Sequence, residues 1–519
     1  MEDPIMRTSQ THPLYVNDLA VGSGRLGLTI CPGKKGPAVF GHAWDRDLET
    51  DVAALRAWGA AAVVTLVEPD ELRDLGAEGL GDVVRKSGMA WHHLPVPDLG
   101  VPDQGSLAAW PEISRALHRR LDAGQKVVVH CRGGLGRAGT MAALLLIERG
   151  DTAARAMERI RAARQNAIET AAQERFLAER AALPDRRAER IRASLFAGAI
   201  GDALGAEIEF TSLPEIRGLF PTGVDRMLPH DGRVGAVTDD TQMTLFTAEG
   251  LICAAVRSAS KGICHPPSVI HHALLRWLMT QGERPALEVG TGGLVADQRL
   301  HRRRAPGITC LTALKSARAF GEAASNDSKG CGTIMRVAPV GLFGGAQVAD
   351  IAAESSALTH GHPTGQEAAA AWALLLNAVL EGQEPEEAAR ELLGRFGNET
   401  DGALRSALDA PRDGRPETVA TLGEGWVAEE ALAIALYAAL AASSFEEGLR
   451  IAVTHSGDSD STGAVAGNLL GLMYPDAAME HPWRQRIECA DLIDRLARDL
   501  DNAARGRDLK ALKERYQGW

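Results

Sequence analysis

The stretch THSGDSDSTG at residues 454–463 decides the organisation of the C-terminal two-thirds of this chain. It places Asp458 and Asp460 among hydroxyl side chains, between an apolar run at 451–453 and a helical pattern at 464–473. Burying so many short oxygen-bearing side chains is costly unless a partner satisfies them. A hard divalent cation is such a partner, because Mg²⁺ prefers oxygen ligands. The stretch therefore predicts half of a metal site at the start of a helix.

A second oxygen-rich stretch, TDDT at residues 238–241, has the same character and also precedes a helical pattern. Asp and Thr at a helix start often do no more than cap the helix, and each stretch taken singly has that plain interpretation. Two such starts that share four aspartates fit a common cation better. We therefore predict that the two stretches meet across one metal site.

The bulk composition limits the fold and the partners. A chain of 519 residues is expected to form two domains, and 45% apolar residues with only 4% aromatic residues favour closely packed helices. The net charge of -12 argues against general nucleic-acid binding, which needs an excess of Lys and Arg.

The cysteines and the apolar runs bear on the compartment. Seven scattered cysteines without a CxxC pair indicate a reducing environment. The N-terminus lacks an apolar signal core, and no apolar run approaches the roughly 20 residues that a membrane span needs. We therefore expect a cytoplasmic protein without a membrane partner.

The N-terminal third alternates between strand and helix patterns. Strand patterns fall at residues 26–31, 61–67, 91–96 and 126–130, and helical patterns fall at 48–58, 80–87, 107–123 and 141–149. Such alternation predicts an α/β domain with a central, mostly parallel sheet and flanking helices.

The loop HCRGGLGRAGT at residues 130–140 follows the last of these strands and opens a helix. That arrangement points backbone N–H groups at a phosphate, and its glycines let the loop curl. The helix start and Arg137 would favour the thiolate form of Cys131, and Arg137 can also bind phosphoryl oxygens bidentately. The plain alternative is a buried core cysteine beside a glycine turn.

Residues 14–180 resemble the dual-specificity and tyrosine phosphatase superfamily, most closely its cyclin-dependent-kinase-associated phosphatase branch. The resemblance rests on the HCRGGLGR loop, on LGLTICPG at 26–33, on PVPDLGVPD at 95–103 and on AIET at 167–170 with Gln173 behind it. It implies that Cys131 is the nucleophile, that Asp98 is the general acid, with Asp103 as the rival, and that a loop binds phosphate. The phosphate-binding loop residues are Arg132, Gly133, Gly134, Leu135, Gly136 and Arg137.

Ala138 departs from the phosphatase pattern, which usually has Ser or Thr directly after the loop arginine. That hydroxyl helps the thiolate leave the phosphocysteine intermediate, and Thr140 lies two residues further on. The departure leaves open a phosphate-binding pseudophosphatase module that recruits the rest of the chain.

The join is short. A helical pattern at residues 155–183 stops at Pro184 and Asp185, and a new one begins near Arg190, so we predict domains at 1–184 and 186–519. The second domain is predicted to be all-α, because long Ala/Leu-rich segments recur and strand signals nearly vanish. Its Gly-rich, polar connectors are where function is expected.

Five of these polar pieces, in this order, resemble the ADP-ribosylglycohydrolase family, which includes the dinitrogenase-reductase-activating glycohydrolases. They are GDALGAEIEF at 201–210, TDDT at 238–241, GCGTIMRVAP at 330–339, THGHP at 359–363 and GDSDST at 457–462. The resemblance spans about residues 190–480 and implies an all-helical fold with two Mg²⁺ or Mn²⁺ ions. The implied ligands are Thr238, Asp239, Asp240, Asp458, Asp460 and Ser461.

The same resemblance makes Glu209 the acidic residue near the scissile bond and Asp202 a support for the ligands. Arg302, Arg303, Arg304 and Arg336 are candidates for a pyrophosphate, although an exposed charge run is an equal alternative for the first three.

Together these features predict a bifunctional hydrolase: an ADP-ribosylglycohydrolase joined to a cysteine-dependent phosphatase. The expected partners are a phosphorylated substrate and an ADP-ribosylated protein, arginine-linked first, or a related small molecule or nucleic-acid end. The alternatives are the pseudophosphatase module and a non-catalytic antagonist of an ADP-ribosyltransferase.

Overall fold

The computed structural model describes residues 6–37, 41–182 and 186–516. The chain divides into two compact units, Met1–Pro184 and Asp185–Trp519. The predicted linker at Pro184 and Asp185 lies outside the described residues. Within the described chain, no helix is both long and apolar enough to span a bilayer.

The N-terminal unit is built on a five-stranded sheet, and the strand that precedes the loop at residues 130–140 lies at its centre. In spatial order the strands are Asn17–Val21, Gly24–Thr29, Lys126–His130, Ala60–Thr65 and Ala90–His93. Only the first pair is antiparallel. The predicted parallel-rich sheet is confirmed, and the edge strand Asn17–Val21, with its mixed burial, is the one that the patterns did not predict. Two short strands, Lys35–Gly36 and Trp44–Asp45, pair outside this sheet.

Seven helices are described in this unit: Leu48–Trp58, Pro69–Asp74, Leu80–Lys86, Gln104–Asp122, Gly136–Glu148, Ala153–Ala163 and Ala171–Ala182. The single helix predicted at 155–183 is wrong in one respect, because residues 164–170 interrupt it. Asn166 and Ile168 there have positive φ angles of 63°. That backbone is incompatible with a continuous helix.

The C-terminal unit is largely helical, as predicted, with one small hairpin of strands Pro229–His230 and Arg233–Val234. Its described α-helices are Arg186–Gly205, Leu213–Leu219, Asp239–Lys261, Pro266–Thr280, Ile308–Ser316, Ala338–Phe343, Val348–Ala357, Pro363–Leu380, Pro385–Leu392, Asn398–Asp409, Pro416–Ala420, Ala428–Ala441, Phe445–Val453, Ser459–Met473, Pro475–Glu480, Ala490–Ala504 and Leu509–Arg515. Short 3₁₀ turns are Gly293–Ala296, Gln298–Leu300, Cys331–Thr333 and Pro482–Arg486.

The helices Arg186–Gly205 and Ser459–Met473 cross at very short range because glycines line their contact. A Cβ at Gly201 would lie 1.9 Å from the carbonyl oxygen of Gly463, and a Cβ at Gly205 would lie 2.3 Å from the carbonyl carbon of Ser459. Any larger side chain would separate the two backbones. This contact sets the spacing between Asp202 on one helix and the start of the other.

Substituting Gly201 with Ala is expected to destabilise the C-terminal unit by about 1–3 kcal/mol or more, because overpacking forces the backbones apart. Gly402, inside the helix Asn398–Asp409, is the matched control because a Cβ there meets nothing within 4 Å. Its substitution with Ala is expected to be neutral or stabilising, since Ala favours helix. Thermal unfolding followed by circular dichroism checks both, and equal unfolding temperatures would contradict this account of the crossing.

Candidate active sites

Cys131 lies directly after the central strand, inside the loop that opens the helix Gly136–Glu148. Its side chain is buried, with the residue 3% exposed, and its Sγ accepts a hydrogen bond from the N–H of Gly134 at 3.2 Å. Gly134 has φ +68°, and a Cβ there would lie 2.3 Å from the carbonyl oxygen of Thr29. Glycine is therefore required for the loop to curl around the thiol.

Arg137 is buried in the same loop and is held by groups from two other segments. Its guanidinium makes a bidentate ion pair with Glu71, at 2.7 and 3.0 Å, and donates to the carbonyl of Val96 at 3.0 Å. The remaining contact joins Arg137 Nη2 to Asp98 Oδ1 at 2.9 Å. Glu71 lies far from the loop in sequence, and no motif singled it out.

The two candidate acids occupy different environments. Asp98 lies against Arg137, with its side chain 57% exposed, so it can reach a ligand in the loop. Asp103 instead caps the helix Gln104–Asp122 by accepting the N–H of Ser106 at 2.8 Å. That backbone hydrogen bond stabilises the ionised form and lowers the pKa of Asp103, so less of this carboxyl is protonated and available as a general acid. The geometry favours Asp98.

The segment 164–170 that interrupts the predicted helix hydrogen-bonds to the loop that follows Cys131. Glu169 Oε2 accepts the N–H of Gly136 at 2.7 Å, and Arg164 donates to the carbonyl of Gly133 at 2.8 Å. Ala138 is buried and contributes no hydroxyl. Thr140 does not replace it, since its hydroxyl donates to the carbonyl of Gly136 at 2.8 Å within the helix.

The second site begins where Thr238 caps the helix Asp239–Lys261. The buried carboxylate of Asp202 accepts the N–H groups of Thr238 and Thr241, each at 3.1 Å. It therefore fixes this helix start without needing to be a ligand itself, and burial raises its pKa to about 6. Asp239 Oδ2 accepts the N–H of Gly307 at 3.4 Å.

The helix Ser459–Met473 supplies the other half. Asp458 caps it by accepting the N–H of Ser461 at 3.3 Å. Its second oxygen accepts the thiol of Cys331 at 2.7 Å. One oxygen each from Glu209, Asp458 and Asp460 lies within 4.8 Å of the other two, and all three residues are buried.

Buried carboxylates lie close together in this acidic centre. Burial raises the pKa of Asp239, Asp240 and Asp460 well above the ordinary value, and like-charge repulsion adds to the effect, as Asp240 does on Asp460. Burial and then the charges of Asp458 and Asp239 raise the pKa of Glu209 to about 8.

Asp240 supplies the test of whether this centre fits a cation. Its Oδ1 is buried and has no hydrogen-bond partner in the described chain. A buried carboxylate oxygen without a donor, amid further carboxylates and hydroxyls, is a donor set that suits a hard divalent cation.

Arg304 and Arg336, two of the candidates for binding a pyrophosphate, bond to other groups of the helical domain. Arg304 is buried and bonds to Glu488 and to the carbonyl of Val237 at 2.8 Å. Arg336 is buried and donates to the carbonyl of Ser355 and the hydroxyl of Thr359, each at 2.9 Å. These contacts hold both guanidinium groups within the helical domain.

Sequence reasoning missed two features beside the acidic centre. The Cys331 thiol reaches Asp458 across a long sequence separation. Phe210, next to Glu209, stacks on Trp426 with ring centroids 5.6 Å apart, although the two residues are 77% and 37% exposed. Trp426 is tied to the centre through its carbonyl, which accepts the N–H of Cys331 at 3.0 Å.

The fold and the two sites define a two-domain hydrolase, with a thiol site on a parallel-rich sheet and a carboxylate site in a helical domain. Comparison with family models matches residues 183–510 to ADP-ribosylglycohydrolase and residues 42–177 to the DSP-PTPase phosphatase domain of Swiss Army Knife proteins. The chain therefore belongs to the ADP-ribosylglycohydrolase family and carries a DSP-type phosphatase domain on its N-terminal side.

Curated relatives match one part each. Rat cyclin-dependent kinase inhibitor 3 is 34% identical over 157 residues, which is 30% of this chain and 70% of the relative. Mouse ADP-ribosylhydrolase ARH3 is 25% identical over 359 residues, covering 61% of this chain and 92% of the relative. The ADP-ribosylarginine hydrolase Tri1 of Pseudomonas putida is 27% identical over 361 residues, covering 66% of this chain and 87% of the relative.

Proposed function

We propose that the C-terminal domain removes ADP-ribose from a modified target in a metal-dependent reaction, with arginine-linked protein ADP-ribose as the favoured substrate. The observation that carries this proposal is the convergence of buried carboxylates around Glu209, with one oxygen of Asp240 left without a donor.

The groups that would hold two Mg²⁺ or Mn²⁺ ions lie at the two helix starts. They are Thr238, Asp239, Asp240, Asp458, Asp460 and Ser461. When bound, such ions position the ribose diol and a water at the anomeric carbon. Asp202 keeps the first helix start in place through the N–H groups of Thr238 and Thr241.

Glu209 is the residue proposed to move a proton. Its carboxyl lies beside Asp458 and Asp460, and its raised pKa favours a protonated form near neutral pH while the centre lacks a cation. In the reaction it would donate to, or accept from, the groups at the glycosidic bond as that bond breaks through an oxocarbenium-like state.

Arginine preference is supported by one relative. The Pseudomonas putida relative Tri1 is, as its name states, an ADP-ribosylarginine hydrolase. The test is incubation with arginine-, serine- and phosphate-end-linked ADP-ribose, where fastest release from arginine is expected and faster release from another linkage would refute the preference.

The pH dependence of stability provides a separate prediction. Because the pKa of Glu209 is raised to about 8 in the folded state, its stabilising contribution is present at low pH and is lost as pH rises from about 4.5 to 8. The unfolding temperature in EDTA is therefore expected to fall between pH 5 and pH 8. Added Mg²⁺ would neutralise the centre, so it is expected to raise the unfolding temperature more at pH 8 than at pH 5.

Differential scanning fluorimetry at both pH values, with and without Mg²⁺, measures this effect. Ca²⁺-free KCl of matched ionic strength is the control for general screening. A gain in unfolding temperature from Mg²⁺ that is equal at both pH values would contradict the proposal.

For the N-terminal domain we propose phosphomonoester hydrolysis through Cys131. The thiolate attacks phosphorus and the ester oxygen leaves, taking a proton from Asp98. Water then cleaves the phosphocysteine to give inorganic phosphate and the free thiol. Arg137, held by Glu71, binds the phosphoryl oxygens. Without a hydroxyl at Ala138, the second step is expected to limit turnover.

Paired substitutions separate the two candidate acids. Asp98→Asn is expected to lower kcat/KM for a phosphate ester with a poor leaving group about 10²-fold, since kcat/KM reports the first step and general acid catalysis contributes about that much. Asp103→Asn is the matched control and is expected to change it little, because asparagine also caps helices. Steady-state kinetics on an alkyl phosphate checks both; a large loss in Asp103→Asn alone would reverse the assignment.

A further inference from the structure

Beside the phosphate loop, positively charged side chains gather around one indole ring. Lys34 Nζ lies 4.7 Å from the centroid of Trp44, and the guanidinium carbons of Arg7 and Arg46 lie at 5.1 and 5.5 Å. Lys34 also donates to the carbonyl of Arg132 at 3.3 Å, so this group adjoins the residue after Cys131.

Lys34 is the unusual member of this group. It is only 9% exposed, and within the described ranges no carboxylate pairs with it. Burial disfavours the charged ammonium group, and the nearby charges of Arg132 and Arg46 add to this effect, so the pKa of Lys34 is lowered to about 8. A negatively charged ligand would offset this effect.

The acidic residues of this region are committed elsewhere. Asp51 pairs with Arg46 at 2.7 Å, Asp45 with Lys35 at 3.6 Å, and Glu71 with Arg137 at 2.7 Å. Among the residues that the structure describes, Arg7, Lys34 and Arg132 form no ion pair. They leave an excess of positive charge beside the Cys131 loop of a chain whose formal net charge is -12.

We propose that Lys34, Arg132 and Arg7 form a second anion subsite, which binds a further phosphate group of the substrate while Cys131 acts on a phosphomonoester. The substrate class is then an organic polyphosphate, such as a nucleotide or a sugar bisphosphate, rather than an isolated phosphoamino acid. The inference rests on the proposed phosphatase reaction at Cys131. It extends that proposal because Arg137 and the loop N–H groups already account for one phosphate.

The test compares inorganic pyrophosphate with inorganic phosphate as competitive inhibitors of aryl phosphate turnover by the full chain. The wild type is expected to bind pyrophosphate about tenfold more tightly than phosphate, as one added charge-assisted hydrogen bond provides. Lys34→Gln is expected to abolish that preference, and Lys34→Arg to restore most of it. Lys35→Gln, which removes the neighbouring exposed lysine, is expected to keep the wild-type ratio.

Three results would overturn the subsite. The first is equal inhibition of the wild type by pyrophosphate and phosphate, and the second is an undiminished preference for pyrophosphate in Lys34→Gln. The third is an equal loss of affinity for both anions in Lys34→Gln, which would mean that Lys34 acts only through the loop. If the wild type turns over no aryl phosphate, the phosphatase proposal fails separately. Calorimetric binding of the same two anions then tests the subsite by the same ratios.

Discussion

Replacing Asp240 with Asn is expected to abolish ADP-ribose release, with a loss of at least ~100-fold in kcat/KM. Asp240 lies at the start of the helix Asp239–Lys261, and one of its buried oxygens has no donor among the described residues. An amide keeps the volume of the side chain but removes the charge that would hold a cation. The measurement is release of ADP-ribose from an arginine-linked protein substrate in Mg²⁺, with unfolding temperature recorded for the same samples.

The unfolding temperatures distinguish a lost ligand from a lost fold. The pKa of the buried Asp240 carboxyl is raised well above its usual value, so ionising this group costs folding free energy. Asn removes that cost, and the variant in EDTA is therefore expected to be at least as stable as the wild type. Added Mg²⁺ is also expected to raise the unfolding temperature of this variant less than that of the wild type. Asp350→Asn, at an exposed position, is the control. It should keep the ADP-ribose release of the wild type and the same gain in unfolding temperature from Mg²⁺. Full activity in Asp240→Asn would contradict the assignment.

Replacing Cys131 with Ser is expected to lower aryl phosphate turnover by about 10³-fold or more, because the nucleophile itself is removed. ADP-ribose release by the same variant is expected to stay within about twofold of the wild type, since the two sites use separate groups. Parallel assays of both activities on one preparation measure this independence.

Cys31→Ser is the matched control for the thiol. Cys31 is also buried close to the loop, and burial raises the pKa of its thiol to about 12, so it stays protonated at neutral pH. It is expected to retain turnover. Turnover that survives in Cys131→Ser would disprove the covalent route, and a wild type without any turnover would favour the phosphate-binding module that Ala138 leaves open.

Features encoded within one short stretch could be predicted from the sequence. The strand Lys126–His130 and the helix Leu48–Trp58 have the predicted bounds, because β-branched runs and helical periodicity are local signals. The two family resemblances are confirmed for the same reason, since each motif keeps its residues within a few positions of one another.

Contacts between distant segments could not be predicted in this way. Glu71 pairs with Arg137, and Cys331 reaches Asp458, yet nothing in the local sequence of either partner indicates the other. Arg336 shows the opposite error, since its position in a motif suggested ligand binding, whereas its side chain donates to a backbone carbonyl of its own domain.

The interrupted helix shows how tertiary contacts override local propensity. Residues 155–183 are rich in helix-forming Ala, Arg and Glu, and periodicity alone favours one continuous helix. Residues 164–170 instead leave the helix to bond Gly133 and Gly136 of the phosphate loop. Only the AIET stretch at 167–170, already part of the phosphatase resemblance, marked this place in the sequence.

The central claim is that the carboxylates around Glu209 form a cation-dependent ADP-ribosylhydrolase centre. The most direct measurement is ADP-ribose release from arginine-linked protein substrate by the wild-type chain in Mg²⁺, after exhaustive EDTA treatment, and after Mg²⁺ is restored. The account predicts release, loss of release and recovery in that order. Release that continues undiminished in EDTA would contradict it.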